Sequence, residues 1–237
     1  QEFIKANYRT NEIVIGICGA YDFAKVVKLT DKLFGHLPAN LSSTKRKSPE
    51  GYEPEQMIAQ KPINQCHAVM GNRAYEIHHS NREALLLLNN LLGGMGMSSR
   101  LNLEIREKYG IAYTIESNYT PLCDSGIFSI YLGTDAEKID KALKLVHREL
   151  KKLREQKIGD VQLHRAKQKF IGQIALAEEN RLSLIISLSK TLLDFGSIDP
   201  IEVLFAKINQ VTSEQLLRIS NEIFEPEKLS LLVFKPE

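Results

Sequence analysis

No tryptophan occurs in the chain, and cysteine is scarce: Cys18, Cys66 and Cys123 are the only three in 237 residues. Their number is odd, their spacing is wide, and no C-x-x-C is present. That excludes a disulfide framework and a paired-cysteine metal or redox site. Each lies in an apolar, strand-like stretch and reads as a buried free thiol, which favours a reducing compartment and a cytoplasmic location. Long apolar runs are also missing. The longest, ALLLLNNLLGGMGM, is too short and too interrupted for a membrane span. No excess of one charge sign exists either, the formal net charge being +2. Neither nucleic acid nor an anionic membrane is therefore an expected partner. No signal-peptide pattern opens the sequence.

Several catalytic signatures are absent as well. The six histidines are His36, His67, His78, His79, His147 and His164. None belongs to H-x-x-E-H or H-E-x-x-H, the spacings that place two imidazoles one helical turn apart on one zinc. In HHSNRE, His78 and His79 precede a helix start, and Glu83 falls in its first turn. Cys66 and His67 are neighbours on a strand and point to opposite faces. No metal site is expected in this chain, and no cofactor bound by it. There is no G-x-S-x-G elbow. GGMGMSSR lacks the P-loop lysine and follows a helix rather than a strand, which argues against nucleotide binding.

What is present is a mixture of helix and strand patterns. EIVIGICG, residues 12–19, is a β-branched run ending in glycine and predicts a strand. Asp22 then caps a helix whose apolar face includes Phe23, Val26, Val27, Leu33 and Phe34, stopped by Gly35 and Pro38. Residues 39–62 read as a long polar, proline-containing loop, and 65–75 as a strand. Ser80 and Glu83 have capping-box spacing ahead of a nearly all-apolar helix. Ser98 or Ser99 caps a second helix, RLNLEIREKY, with Leu101, Ile105 and Tyr109 on one face and Glu104 in reach of Lys108. Gly110 is placed to end it in the left-handed conformation.

Two strands follow around the turn PLCD and predict an antiparallel hairpin. A long amphipathic helix begins near residue 135, and one or two more run to Gly196. Two short helices with Asp199 and Thr212 as caps precede a last strand, KLSLLVFKP. Thr212 and Gln215 also have capping-box spacing.

Hairpin-connected strands mixed with strand-to-helix units predict an α+β fold. Its expected form is a largely antiparallel mixed sheet with helices packed mainly on one face. Two internal echoes suggest duplication. IVIGICGAYDFAKVVKLTDKLF and FSIYLGTDAEKIDKALKLVHREL share the plan strand, glycine, acid, amphipathic helix. The opening FIKANYRTNEIVIGICG parallels the closing NEIFEPEKLSLLVFKPE. The chain therefore reads as one half of a duplicated protein. Residues 1–10 would be a linker or the tail of a preceding domain, and 11–237 the half itself.

The segment with the most specific character is LLGGMGMSSRLNLEIREKYGIAYTIES, residues 91–117. Gly110 reverses the chain between Arg106 and Tyr113, so a guanidinium and a phenol could converge as donors on one peptide carbonyl. This segment resembles the C-terminal-half signature of the insulinase/pitrilysin family of zinc peptidases, which includes the mitochondrial processing peptidase. The matching features are a buried helix, a glycine-rich loop, S-R-L, a short helix with a basic residue, then G-x-x-Y. Residues 3–38 resemble the family's inter-half segment, and ALAEENRLSLIISLSKTLLDFG its later helix pair.

The resemblance implies a two-half enzyme closing around an unfolded peptide in a chamber. One half holds zinc and the general base. The other contributes an arginine and a tyrosine seven positions apart, as Arg106 and Tyr113 are. It implies that Arg106 binds substrate backbone and that Tyr113 is a catalytic residue, donating to the scissile carbonyl. The implied partners are the peptide substrate and a zinc-bearing half, upstream or on another subunit. Since H-x-x-E-H is absent, the chain alone is expected to be inactive. The rival expectation is a non-catalytic accessory or scaffold subunit of the same family.

Overall fold

The computed structural model describes residues 2–39 and 47–237. The chain divides into two compact units, one of residues 1–46 and 173–200, the other of residues 47–172 and 201–237.

The second unit holds a five-stranded sheet. Its strands are β1 (Gln56–Lys61), β2 (Cys66–Ala74), β3 (Thr114–Pro121), β4 (Gly126–Thr134) and β5 (Ser230–Pro236), in the order β1-β5-β2-β4-β3. Only β1 and β5 pair in parallel; β5–β2, β2–β4 and β4–β3 are antiparallel. The expected mixed, largely antiparallel sheet is present. Alternation decides which face is inside. Cys66, Ala68 and Met70 on β2, Phe128, Ile130 and Leu132 on β4, and Ile115 and Tyr119 on β3 all enter one core. The intervening Val69, Ile127 and Glu116 are exposed.

Helices cover that core face. They are α3 (Arg82–Gly93), α4 (Ile139–Glu155), α8 (Ser213–Ile223) and the part of α5 (Asp160–Ala177) up to residue 172, with α7 (Ile201–Gln210) against α3. Leu85, Leu88 and Leu92 of α3, Val146 and Leu150 of α4, and Leu216, Ile219 and Ile223 of α8 join the same cluster. Gly93 ends α3 against β3. A Cβ there would lie 2.6 Å from the Ser117 amide nitrogen, so only glycine permits this approach.

The first unit contains α1 (Glu2–Asn7), α2 (Phe23–Phe34) and α6 (Arg181–Phe195). Local signals set the helix ends. Asp22 accepts from the Lys25 amide at 2.9 Å, and Asn180 from the Ser183 amide at 3.0 Å. Gly196 closes α6 at φ +72°. In the other unit Thr212 accepts from the Gln215 amide at 3.1 Å. Thr212→Ala removes that bond and is expected to cost about 1 kcal/mol, readable as a lower urea midpoint at unchanged slope. No helix among the described residues is long and apolar enough to cross a membrane.

Five local readings are corrected. Residues 13–18 form no strand, because no strand among the described residues lies beside them. Part of the predicted 39–62 loop is β1, stabilised by pairing with β5 far along the chain; residues 40–46 of that loop lie outside the described residues. Ser80 does not cap α3. Asn81 occupies the cap position without a side-chain cap bond, since its Oδ1 accepts instead from Gln215 Nε2 (3.0 Å) and Arg218 (3.3 Å). The same Gln215 contact leaves the Thr212 capping box half made. Finally, Cys66 is buried but Cys18 is exposed and Cys123 intermediate. Cys18 lies in a segment that joins no sheet among the described residues.

A candidate peptide-binding corner

The short helix expected after Ser99 is mostly a π-helix, Asn102–Glu107. The wide turn is visible in the bond from the Lys108 amide to the Leu103 carbonyl, five residues back, at 3.0 Å. Ser99 does not act as its cap. Its hydroxyl accepts from Asn102 Nδ2 at 2.9 Å, while the same Asn102 amide reaches the Ile115 carbonyl at 3.2 Å. That buried contact ties the helix start to β3. Leu101 and Ile105 anchor it from below with no solvent exposure. Glu104 binds Lys108 as expected, at 3.2 Å, and also pairs with Arg148 of α4. The Lys108 bond first, then the positive charges around it, hold the Glu104 carboxyl below its ordinary range.

Gly110 then turns the chain at φ +62°, where only glycine is unstrained. The amides of Gly110 and Ile111 reach back to the carbonyls of Arg106 (3.0 Å) and Ile105 (3.3 Å). The strand end of the corner is held by the last two residues of β4 and the one that follows. The Tyr113 amide donates to the Gly133 carbonyl at 2.9 Å. The Thr134 hydroxyl donates to the Ile111 carbonyl. The Tyr113 phenol donates to Asp135 Oδ1 at 2.7 Å, and Lys138 holds the other carboxylate oxygen at 2.6 Å.

Electrostatics follow from this chain of contacts. The Asp135 bond, reinforced by its negative charge, raises the Tyr113 phenol above its ordinary range and keeps it a protonated donor. Lys138 first, then Tyr113, pushes the Asp135 carboxyl down. Arg106 projects from the π-helix as an exposed side chain. Among the described residues no hydrogen bond joins it to Tyr113, whose side chain is 53% exposed. The two expected site residues thus flank one corner with different occupations. The arginine is open to solvent, and the phenol is turned onto Asp135.

Asp135 and Lys138 escaped the reading from sequence. The available signal was an acid three residues before a lysine at a helix start, in GTDAEK. Nothing local says that Tyr113 lies above it. The π-helix had no signal at all, since Leu101 and Ile105 fit an α-helical face equally well.

No three histidine, cysteine, aspartate or glutamate side chains converge among the described residues. This donor set does not fit a hydrolytic zinc.

An α+β half with an arginine and a tyrosine across a stapled corner is the class of domain that the fold and site define. The family model described as the peptidase M16 inactive domain matches residues 1–170, and the chain belongs to that family. Among curated relatives, the uncharacterized zinc protease YmxG of Bacillus subtilis is 27% identical over 236 residues, covering 100% of this chain and 57% of that protein. The mitochondrial-processing peptidase subunit beta of Saccharomyces cerevisiae is 21% identical, covering 98% and 54%. The crystal structure of a peptidase M16 inactive domain from Pseudomonas fluorescens superposes with a TM-score of 0.80 at 22% identity, over 92% of this chain and 52% of that one. The chain thus spans about half the length of the relatives it matches.

Proposed function

We propose that the chain is the substrate-binding half of a zinc-dependent endopeptidase that cleaves unfolded peptides in a closed chamber. Zinc and the general base belong to a complementary half, upstream in the same polypeptide or on a partner subunit, and the chain alone is inactive. The observation that carries this reading is the corner: Arg106 and Tyr113, seven residues apart, flank Gly110 beside an edge strand. The guanidinium would hold peptide carbonyls. The phenol would donate to the scissile carbonyl as that oxygen gains negative charge. β3, which continues from Tyr113, leaves one row of backbone groups unpaired by the sheet, so an extended peptide can add to it.

The phenol has one proton to give. In the resting chain Asp135 holds it, so substrate binding must draw the phenol away, while Lys138 remains to neutralise the carboxylate.

Reconstitution with the zinc-bearing half tests the reading. Arg106→Ala is expected to raise KM for a peptide about tenfold, the loss of one charge-assisted hydrogen bond, with a smaller effect on kcat. A reconstituted pair that binds but never turns over peptide would instead mark the chain as a non-catalytic accessory subunit.

A further inference from the structure

Asp135 opens the turn that leads into α4. From such a place an aspartate ordinarily accepts from the backbone amides of the helix start. Among the described residues neither of its carboxylate oxygens does so. Oδ1 accepts from the Tyr113 phenol at 2.7 Å, and Oδ2 from Lys138 Nζ at 2.6 Å. Lys138, at the cap position of α4, makes no side-chain cap bond. The carboxylate thus serves the corner rather than its own helix.

The acceptor is fixed and the donor is free to turn. The Gly133 carbonyl and the Thr134 hydroxyl tie the two residues before Asp135 to Tyr113 and Ile111. Thr134 has no exposed surface. On the other side the Lys138 amide bonds the Asp135 carbonyl at 3.0 Å. The Tyr113 ring is exposed, and its hydroxyl has no second partner among the described residues. Leaving Asp135 takes only a rotation of the tyrosine side chain and breaks no buried contact. A hydrogen bond between such exposed partners shifts a population about three- to tenfold. That holds the phenol aside most of the time, yet an acceptor that gains full negative charge can draw it off.

We propose that Asp135 is a positioning residue, a latch that keeps the Tyr113 phenol off the reaction line until negative charge develops on the substrate, and that Lys138 sets the strength of the latch. The proposal rests on the two-half reading of the corner and adds the regulation of its donor. Lys138 draws charge from the carboxylate and so weakens its hold on the phenol. Without the lysine the phenol faces a stronger acceptor; without the carboxylate charge it faces a weaker one. The two substitutions therefore act in opposite directions on turnover, whereas the loss of a merely structural ion pair would act in one. The charges that bear on the phenol are those of Asp135 and Lys138, and Glu137 bears in turn on Lys138. The phenol's raised pKa, due first to the Asp135 bond and then to its charge, is the equilibrium mark of the contact.

The full 237-residue chain, isotopically labelled at its tyrosines, reports the latch by NMR. The Tyr113 resonance is the one lost in Tyr113→Phe. It should titrate above the ordinary phenol range, return toward that range in Asp135→Asn, and move further up in Lys138→Met. Reconstituted with the zinc-bearing half and given a fluorogenic unfolded peptide, Asp135→Asn should raise kcat about three- to tenfold at nearly unchanged KM. Lys138→Met should lower kcat about threefold. In a Tyr113→Phe background both effects should vanish, because both act through the phenol. Where Tyr113→Phe slows turnover, an Asp135→Asn enzyme that is slower or unchanged overturns the proposal while the functional reading stands. Effects that persist without the phenol, or a Tyr113 resonance that does not move in Asp135→Asn, overturn it as well. The functional reading fails separately: where the pair does not turn over, or turnover is unaltered by Tyr113→Phe, the catalytic role is removed, and the resonance alone decides whether Asp135 holds the phenol.

Discussion

Tyr113→Phe in the proposed two-half enzyme, once reconstituted, is expected to lower kcat about 10²- to 10³-fold, the range observed for loss of one oxyanion donor, and to leave KM nearly unchanged. Tyr113 donates its only proton to Asp135 at 2.7 Å. A ground-state peptide carbonyl is a weaker acceptor than a carboxylate, so substrate alone draws the phenol away poorly. The oxygen that develops negative charge competes well. The bond is therefore stronger in the transition state than in the ground state, which is the condition for an effect on kcat rather than KM. Folding should be unaffected, because the phenol is exposed and makes one surface bond. Single-turnover rates, measured with the thermal melt of the variant, check both halves of the statement. Turnover equal to that of the parent enzyme would remove Tyr113 from the mechanism.

Phe128→Ala has the largest expected effect on stability. Phe128 lies on β4 between two strands, has no exposed surface, and packs on Phe224 with ring centroids 4.9 Å apart. Phe224 follows the end of α8, so this pair joins sheet to helix layer. Truncation removes the transfer energy of the ring and leaves a cavity between elements that cannot easily close. The expected loss is about 3–5 kcal/mol, a melting shift on the order of 10 °C. The neighbouring Ile127→Ala is the control. One residue earlier the side chain points to the other face and is 54% exposed, so its effect should stay within about 0.5 kcal/mol. Equal effects at the two positions would contradict the side-to-side alternation of β4.

These two residues also differ in how legible they were. The burial of Phe128 follows from period-two alternation inside a predicted hairpin, a purely local pattern. The spacing of Arg106, Gly110 and Tyr113 was equally plain. The partner of Tyr113 was not, because Asp135 lies 22 residues away and reaches the phenol only through the antiparallel register of β3 and β4.

The same division runs through the whole chain. Sequence alone determined several helix ends where the groups involved lie within four residues: Asp22 and Thr212 as caps, Gly110 and Gly196 as left-handed stops. A helix satisfies its own backbone, so its neighbours in sequence suffice to specify it. Tertiary structure alone decided which extended segments became strands. Residues 12–19 have the better strand composition yet pair with no strand among the described residues, while polar QMIAQK became β1 because β5 lies beside it. It also diverted Asn81 and Gln215 from their local caps into a contact between α3 and α8. A strand is completed by a remote partner, and only the assembled fold brings that partner into place.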